Sequence, residues 1–354
     1  MINVFMITYT AVCLATVTGS VAQTTQTFQS IDEHPIFYRE WKHEAEEHVA
    51  VVYLIHGMAE HSGRYNAFAT HLVQTLGVKV VAPDHRGHGM TSCPEGAENL
   101  VNLGFLHRGV GFETIDPITL MGKDVIELIR RTNEEGKPIM LFGHSMGSVI
   151  SRSVLRNADP VVRNSIKGVV LSGVPTAPSK LEYPALRAAS TLIKWSGGVG
   201  LGFVQKTLIG EKFDSLVKRR VGDSTLPENC FISSDADVVA EYTREPFTDH
   251  LVDADILISV VSNLMDMSNN PAEYFEPITD VRIPTMFICG RDDPVCMFGA
   301  TAQADAEKMA KLGHPITEVY LSGARHEFLN EIQEIRLTGI QQVTSWMKQR
   351  IFNV

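Results

Sequence analysis

The chain has 354 residues, of which 44% are hydrophobic and 20% charged, and its formal net charge is −10. This is the composition of a folded globular protein, and it excludes a disordered chain, a collagen-like chain and a multi-span membrane protein. The acidic balance also argues against a nucleic-acid partner, because neutralising phosphates requires clustered Lys and Arg side chains, and no such cluster is present.

The amino-terminal segment differs from the rest of the chain. A mostly apolar run extends from Val4 to Val17 and is followed by the small residues Ser20 and Ala22. This pattern predicts a secretory signal peptide over residues 1–22, cleaved after Ala22, and therefore an exported or secreted protein. The run is shorter than a spanning helix of about 20 residues. A signal peptide usually begins with Lys or Arg, but no Lys or Arg occurs before Arg39. A membrane anchor and a plain extension of an intracellular protein therefore stay open as alternatives.

Beyond this segment, short apolar β-rich runs alternate with helical stretches. Continuous apolar runs that end at Gly, Pro or Asp are typical of strands covered on both faces. Strands are predicted at Val49–Ile55, Val78–Ala82, Ile139–Phe142, Gly168–Leu171, Thr285–Cys289 and Thr317–Leu321, and helices at Phe68–Leu76, Met121–Arg131, Gly147–Asn157, Ala302–Leu312 and Asn330–Arg350. The alternation predicts an α/β fold with a doubly wound, mostly parallel sheet.

The alternation fails between residues 175 and 277, where glycine clusters and polar turns precede a helical pattern. We interpret this stretch as a helical cap, inserted after the strand near 168–171 and lying over the carboxyl edge of the sheet. The core is then formed by residues 26–174 and 278–354. The glycine cluster at 197–202 is not a dinucleotide fingerprint, because the G-x-G-x-x-G register and the preceding strand are both missing.

A candidate nucleophile follows the third predicted strand, where the segment 143–147 has the sequence G-H-S-M-G. A G-x-S-x-G pattern between a strand and a helix is typical of a sharp turn that projects a serine hydroxyl, and Gly143 and Gly147 permit its tight backbone. Catalytic groups of open α/β sheets lie beyond the carboxyl ends of the strands. Ser145 is therefore the predicted nucleophile, with a helix-capping serine as the alternative.

A serine hydroxyl needs a base and an orienting acid, which in this architecture follow in the order Ser, Asp or Glu, His. Asp292 and Asp293 come directly after the strand that ends at Cys289, and His326 follows the strand that ends at Leu321. We predict His326 as general base and Asp293 as the acid that orients it. Asp292 stays open as the acid, since spacing cannot separate neighbours.

The tetrahedral intermediate also requires backbone N–H donors. One is predicted at Met146, directly after the nucleophile, and the other at Met58, in the loop that follows the first predicted strand. In that loop His56 and Gly57 precede Met58, and Gly57 allows the backbone to approach closely.

Four segments carry a resemblance to a known family. They are HGMAEHSGRY at 56–65, DHRGHG at 84–89, GHSMG at 143–147 and HEFLNE at 326–331. They resemble the signature of monoacylglycerol lipases and related lysophospholipases, which are α/β-hydrolases grouped as serine aminopeptidase S33. The resemblance extends over about residues 26–350 and is weakest in the cap. It departs from the pattern at Ala59, where members often have Gly, and in the longer segment from Cys93 to Pro117.

The resemblance implies the α/β-hydrolase fold and the same triad and oxyanion donors. It further implies a serine hydrolase that cleaves lipid carboxylic esters, monoacylglycerol or lysophospholipid, through an acyl-enzyme, with no metal and no organic cofactor. The cap is then an apolar lid that can contact a membrane surface transiently. Seven apolar residues are compatible with such a lid and equally with a plain buried helix face: Leu181, Leu186, Leu192, Ile193, Trp195, Leu201 and Phe203.

Two other functions stay open. The first is an S33-type aminopeptidase or amidase, which would need acidic residues to hold a substrate amine. The cap offers Glu182, Asp235, Asp237 and Glu241. The second is a non-catalytic binding protein on the same fold. The acyl length, the head group and the oligomeric state are not predicted.

The five cysteines, at 13, 93, 230, 289 and 296, form no C-x-x-C pair. The spacing therefore suggests neither a zinc site nor a thioredoxin-type redox site. In a secreted protein the four cysteines beyond Cys13 could pair in three ways. Cys296 matches a cysteine near the active site of some monoacylglycerol lipases, which implies an oxidisable thiol beside the pocket; a small buried residue is the alternative.

Overall fold

The sheet is the central layer of the protein. The computed structural model describes residues 20–44, 47–133, 135–178, 182–184, 187–188, 205–206, 210–275 and 282–352. Within these residues the strands are β1 Val21–Gln29, β2 Pro35–His43, β3 Val51–Ile55, β4 Lys79–Pro83, β5 Ile139–His144, β6 Ile166–Ser172, β7 Thr285–Gly290 and β8 Ile316–Leu321. Their order across the sheet is β1-β2-β4-β3-β5-β6-β7-β8.

The strands from β3 to β8 pair in parallel, and β1 and β2 add an antiparallel edge. This confirms the predicted mostly parallel α/β-hydrolase sheet. Parallel strands end at the same edge, so the segments that follow β3, β5, β6, β7 and β8 all meet at the carboxyl edge of the sheet.

Helices cover both faces of the sheet. In chain order the α-helices of the described residues are α1 Asn66–Leu76, α2 Gly89–Ser92, α3 Pro117–Thr132, α4 Met146–Asn157, α5 Pro160–Ser165, α6 Glu211–Val221, α7 Ala236–Arg244, α8 Ala254–Asn269, α9 Pro271–Phe275, α10 Ala300–Lys311 and α11 Gln333–Phe352. One apolar cluster joins α3, α4, α8 and α10 to the sheet, and a second joins α1 and α11 to its opposite face. Alternate residues of each inner strand belong to different clusters, which is why these strands are continuous apolar runs.

Strands β1 and β2 are absent from the sequence prediction. Most side chains of β1 are exposed, and those of β2 alternate between buried and partly or fully exposed. Neither strand therefore contains the continuous apolar run by which the inner strands were predicted. The signal in β2 is period-two alternation, typical of an antiparallel strand with one solvated face.

The first residues of two helices differ from the predictions, because local turns and capping residues determine where these helices begin. Helix α3 begins four residues before the predicted Met121, because the Asp116 side chain accepts a hydrogen bond from the Thr119 N–H and Pro117 occupies the first helical position. Helix α11 begins at Gln333, since Phe328–Asn330 forms a 3₁₀ turn instead.

The described part of the predicted cap contains helices α6 to α9. The seven apolar residues that suggested a membrane-contacting lid lie outside the described residues, and so do residues 1–19. The membrane contact, the signal peptide and the location therefore stay predictions. Among the helices that the structure does describe, none has both the length and the apolar character needed to cross a bilayer.

Candidate active site

Ser145 lies in a strained turn between β5 and α4. Its backbone has φ 52° and ψ −119°, a left-handed conformation that L residues rarely adopt. Both neighbouring glycines are required by packing. A Cβ added to Gly143 would lie 2.3 Å from the Ser151 Oγ, and one added to Gly147 would lie 1.9 Å from the carbonyl oxygen of Ile55. The turn therefore holds Ser145 above the sheet edge, as the G-x-S-x-G pattern predicts.

His326 and Asp293 are paired at the same edge. The His326 Nδ1 lies 3.1 Å from the Asp293 Oδ2, and Asp293 is fully buried. The second carboxylate oxygen of Asp293 accepts a hydrogen bond from the Val295 N–H at 2.8 Å, which fixes the carboxylate plane. Asp292 instead points away, and its Oδ1 lies 3.2 Å from the Nε of Arg220. Of the two candidate acids, Asp293 is the one that contacts the imidazole.

The end of β6 connects Ser145 to His326. The Ser145 N–H donates to the Ser172 carbonyl oxygen at 2.9 Å, and the next residue, Gly173, lies directly beneath the His326 ring. A Cβ on Gly173 would be only 3.0 Å from that ring. The ring of His144, the neighbour of Ser145, lies 4.6 Å from the His326 ring. The structure thus brings the three predicted residues to one site.

The electrostatics of the pair suit a general base. Burial by itself lowers the pKa of His326, but the Asp293 carboxylate outweighs it and raises that pKa above 6.5. Burial raises the pKa of Asp293, and the charge and hydrogen bonds of its neighbours outweigh it, so that this pKa is lowered. Asp293 is therefore ionised beside an imidazole that can accept and keep a proton.

These directions predict a pH profile. A general base must be neutral, so kcat/KM should rise with pH through an apparent pKa above the 6.5 of an ordinary histidine. Asp293→Asn removes the negative charge that raises the His326 pKa, and the rise should then move to lower pH. The measurement is kcat/KM from about pH 5 to about pH 9 for both proteins. An unchanged profile in Asp293→Asn would contradict the assignment.

The loop at 56–65, which we call the oxyanion loop, lies against Ser145. A Cβ on Gly57 would lie 2.8 Å from the Glu60 Oε1 and 3.2 Å from the Ser145 Cβ, so a glycine suits this close approach. Next to Met58, Ala59 has φ 56°, which explains why a glycine suits this position better. Met146 is the first residue of α4, where backbone N–H groups have no partner within the helix. The predicted donors are therefore on two segments that flank Ser145.

His56 fixes the start of the oxyanion loop. Its Nε2 accepts a hydrogen bond from the His85 N–H at 2.9 Å, so the proton is on Nδ1, which donates to the Gly57 carbonyl oxygen at 2.7 Å. Burial lowers the pKa of His56 to about 4, which keeps it neutral. His56 therefore holds the loop in place and is not a second base.

A buried ion network joins the oxyanion loop to the residue after His326. Arg64 donates two hydrogen bonds of 2.7 Å to the Glu327 carboxylate and one of 3.0 Å to Glu60. Glu60 also accepts from the Gly57 N–H at 2.6 Å. Burial raises the pKa of Glu327, but the two bonds from Arg64 outweigh it and lower that pKa. Sequence analysis missed this network, although an i, i+4 Glu–Arg pair in a quoted motif was a signal for it.

Glu60, Glu327 and His144 also have the mutual distances of a metal site. Arg64 already forms ion pairs with both carboxylates there, and burial with the nearby His326 lowers the pKa of His144 to about 3. This group is therefore satisfied without an ion.

Removing Arg64 should cost a large part of the stability. Arg64→Met leaves the buried carboxylates of Glu60 and Glu327 without a counter-charge, and breaking a buried pair in this way costs about 3–5 kcal/mol. The measurement is urea unfolding of the variant and the parent protein. Arg130→Met is the matched control, because its exposed bond to Asp159 should be worth at most about 1 kcal/mol. Equal losses in the two variants would contradict the prediction.

The segment at 84–89 supports the site without entering it. The buried Asp84 carboxylate accepts from the Ser62 N–H at 2.8 Å, which anchors the middle of the oxyanion loop. The guanidinium of Arg86 is fully buried between the carboxylates of Asp32 and Asp124, with bonds of 2.6 to 2.8 Å. The charged residues of this motif thus position loops.

The cap contacts both catalytic loops. The carbonyl oxygen of Ala59 accepts from the Asp249 N–H at 3.1 Å, and the His61 Nε2 lies 2.5 Å from the Glu245 carboxylate. On the other side the His326 N–H donates to the Phe231 carbonyl oxygen at 3.1 Å. The described part of the cap therefore helps to position the oxyanion loop and His326.

The four cysteines of the described residues, Cys93, Cys230, Cys289 and Cys296, are buried free thiols, so none of the disulfides considered for a secreted protein is present among them. Cys289 and Cys296 nevertheless lie close together, beside Asp293. Their sequence spacing did not predict this pairing.

The fold and the site define an α/β-hydrolase. The model of the family described as serine aminopeptidase, S33, matches residues 46–333. The chain belongs to this family.

The chain is also similar to curated and solved proteins over most of its length. A monoglyceride lipase of Mus musculus is 26% identical, with 90% of this chain and 89% of that protein covered. A monoglyceride lipase homolog of Monkeypox virus is 22% identical, with 91% and 97% covered. The structure of a thermostable carboxyl esterase from Bacillus coagulans has a TM-score of 0.75, 24% identity and coverages of 93% and 99%. A soluble variant of monoglyceride lipase from Saccharomyces cerevisiae has a TM-score of 0.65, 20% identity and coverages of 92% and 94%. The family and these relatives make the chain a hydrolase of the lipase and esterase type.

Proposed function

We propose that the protein is a serine hydrolase that cleaves carboxylic esters of lipid type, monoacylglycerol or lysophospholipid, through an acyl-enzyme. The observation that carries the proposal is the position of Ser145 on its strained turn, beside a His326 that is paired with a buried Asp293. The relatives named monoglyceride lipase, which match about nine-tenths of this chain, support the lipid ester as the substrate class.

The chemistry uses residues of the chain alone. The Ser145 hydroxyl attacks the ester carbonyl while the His326 Nε2 takes its proton, and Asp293 holds the imidazole with its Nδ1–H towards the carboxylate. The Met58 and Met146 N–H groups stabilise the oxyanion, and losing one such donor costs about 3–4 kcal/mol of transition-state stabilisation. His326 then protonates the leaving alcohol, and a water that it activates releases the fatty acid.

Two of the four acidic residues that suggested the aminopeptidase alternative have other partners. Asp235 caps helix α7 by accepting from the N–H groups of Asp237 and Val238, and Glu182 pairs with Lys212 at the surface. The engagement of these two side chains in a cap and a surface pair does not favour either as a ligand for a substrate amine. We therefore propose the ester as the bond that is cleaved.

A substrate panel tests the proposal. Purified protein is assayed on a monoacylglycerol, a lysophosphatidylcholine and an aminoacyl p-nitroanilide, with Ser145→Ala from the same preparation as the control. We expect the highest kcat/KM on one of the two lipid esters and no turnover above background in the variant. A preference for the anilide would replace the ester hypothesis with the amidase. No turnover of any substrate by a folded protein would support a binding protein instead.

A further inference from the structure

Two thiols lie directly behind the predicted triad acid. Cys289 is in strand β7, and Cys296 follows seven residues later in the turn that carries Asp293. A sulfur atom of each cysteine and a carboxylate oxygen of Asp293 all lie within 4.8 Å of one another, and all three residues are buried. The Cys296 Sγ donates to the backbone carbonyl oxygens of Asp293 at 3.6 Å and Gly290 at 3.9 Å. The two thiols therefore adjoin the predicted triad at Asp293.

From this cluster we propose a binding site for a thiophilic divalent cation, Zn²⁺ above all, held by the Cys289 and Cys296 sulfurs and the Asp293 carboxylate. Thiolate ligands select Zn²⁺ and Cd²⁺ over hard cations such as Mg²⁺ and Ca²⁺. Three protein ligands leave a fourth position for water, the coordination of an open zinc site.

The geometry is close to what such an ion needs. With Zn–S bonds of about 2.3 Å and tetrahedral angles, two sulfur ligands lie about 3.7 Å apart. The observed limit of 4.8 Å means that each ligand must move by about 1 Å or less. Six residues lie between the cysteines, and Met297 and Phe298, directly after Cys296, both have positive φ, so the turn that carries Cys296 is strained.

Binding has a proton cost. Both cysteines are buried, and a buried thiol is protonated near neutral pH. A metal ion deprotonates the sulfurs that coordinate it and releases their protons to solvent. The affinity should therefore increase with pH.

The site shares a ligand with the triad. A carboxylate that coordinates Zn²⁺ is neutralised by it and no longer stabilises the His326 imidazolium. Under the proposed function, on which this consequence rests, occupation of the site inhibits the enzyme. The loss should approach that of a defective triad acid, about 10⁴-fold in kcat. The ion is thus an inhibitor at this site and not a cofactor of the reaction.

Direct binding is measured without any activity assay. Cd²⁺ is titrated into the purified full chain, and the thiolate-to-Cd²⁺ charge-transfer absorption in the ultraviolet is followed, with Zn²⁺ as the competitor. We expect one Cd²⁺ per chain. Cys289→Ser and Cys296→Ser should each weaken binding at least about 100-fold. The controls Cys13→Ser, Cys93→Ser and Cys230→Ser should leave the titration unchanged. Persistence of the signal in the first two variants, or its loss in the controls, would overturn the site.

The second arm measures turnover of whichever ester the panel identifies. Stoichiometric Zn²⁺ should inhibit the parent protein, EDTA should restore it, and Cys289→Ser should resist the ion. Cd²⁺ binding at the two cysteines without inhibition would contradict the role of Asp293 in the proposed function while leaving the metal site intact. An absence of esterase activity would leave the binding titration as the complete test of the site.

Discussion

Replacing Ser145 by Ala should lower kcat by about 10⁴- to 10⁶-fold while the protein stays folded. The hydroxyl is the only group removed, and alanine has no atom that could replace it as the nucleophile. The strain of the left-handed turn remains, because the backbone at this position is determined by Gly143 and Gly147 and their close contacts. Stability should therefore change little while turnover is lost.

The measurement combines turnover with covalent labelling. A fluorophosphonate probe reacts with an activated serine, so it should label the parent protein and fail to label Ser145→Ala or heat-denatured protein. Ser165→Ala is the matched control, since this serine is at the end of helix α5 and its hydroxyl donates to the helical carbonyl oxygen of Val161. Labelling that persists in Ser145→Ala would contradict the role of Ser145 as the nucleophile. So would a Ser145→Ala protein that keeps a tenth of the parent activity.

The second large effect is a loss of kcat that we expect for Asp293→Asn and not for the neighbouring Asp292→Asn. Asp293→Asn should reduce kcat by about 10⁴-fold, because an amide beside Nδ1 favours the wrong imidazole tautomer and no longer stabilises the imidazolium. Asp292→Asn should leave kcat within a few-fold of the parent, since Asp292 contacts Arg220 at the surface and not His326.

The pair of variants is its own control. Both substitutions replace one oxygen by an amide nitrogen, one residue apart, so a general disturbance of the loop would affect both alike. Turnover and thermal unfolding are measured for each. A larger loss of activity in Asp292→Asn would reverse the assignment of the acid. The two variants must be compared directly because Asp292 and Asp293 both follow β7 at the same edge of the sheet.

The apolar runs, and the Gly, Pro and Asp residues at which they end, were sufficient to predict the inner strands of the sheet. The six predicted strands correspond to β3 through β8, and most of their ends agree within two residues. Strands buried on both faces are apolar throughout, which is a signal that survives in a single sequence. Strands β1 and β2 form a solvated antiparallel edge, whose polar and alternating side chains resemble loops. Helix α3 was shortened in the prediction because its first turn is determined by the Asp116 cap and not by apolar spacing.

For the site, chain order and strand ends predict Ser145 and His326, but they do not separate Asp292 from Asp293. That difference depends on which side chain turns inward, a property of tertiary packing. The network of Arg64 with Glu60 and Glu327 was missed for the same reason, since Glu327 is 263 residues from its partner. The proximity of Cys289 to Cys296 likewise arises from the turn between them and not from a recognisable spacing.

The contact between the cap and the general base has a consequence for how such proteins can be rebuilt. Backbone hydrogen bonds join Phe231 and Ile232 to His326 and Glu327, and Arg325 donates to the carbonyl oxygens of Cys230 and Ser233. A cap transplanted from a relative must therefore preserve the path of residues 230–233, whatever else it changes. A variant that lacks the cap would lose these hydrogen bonds to the residues on either side of His326.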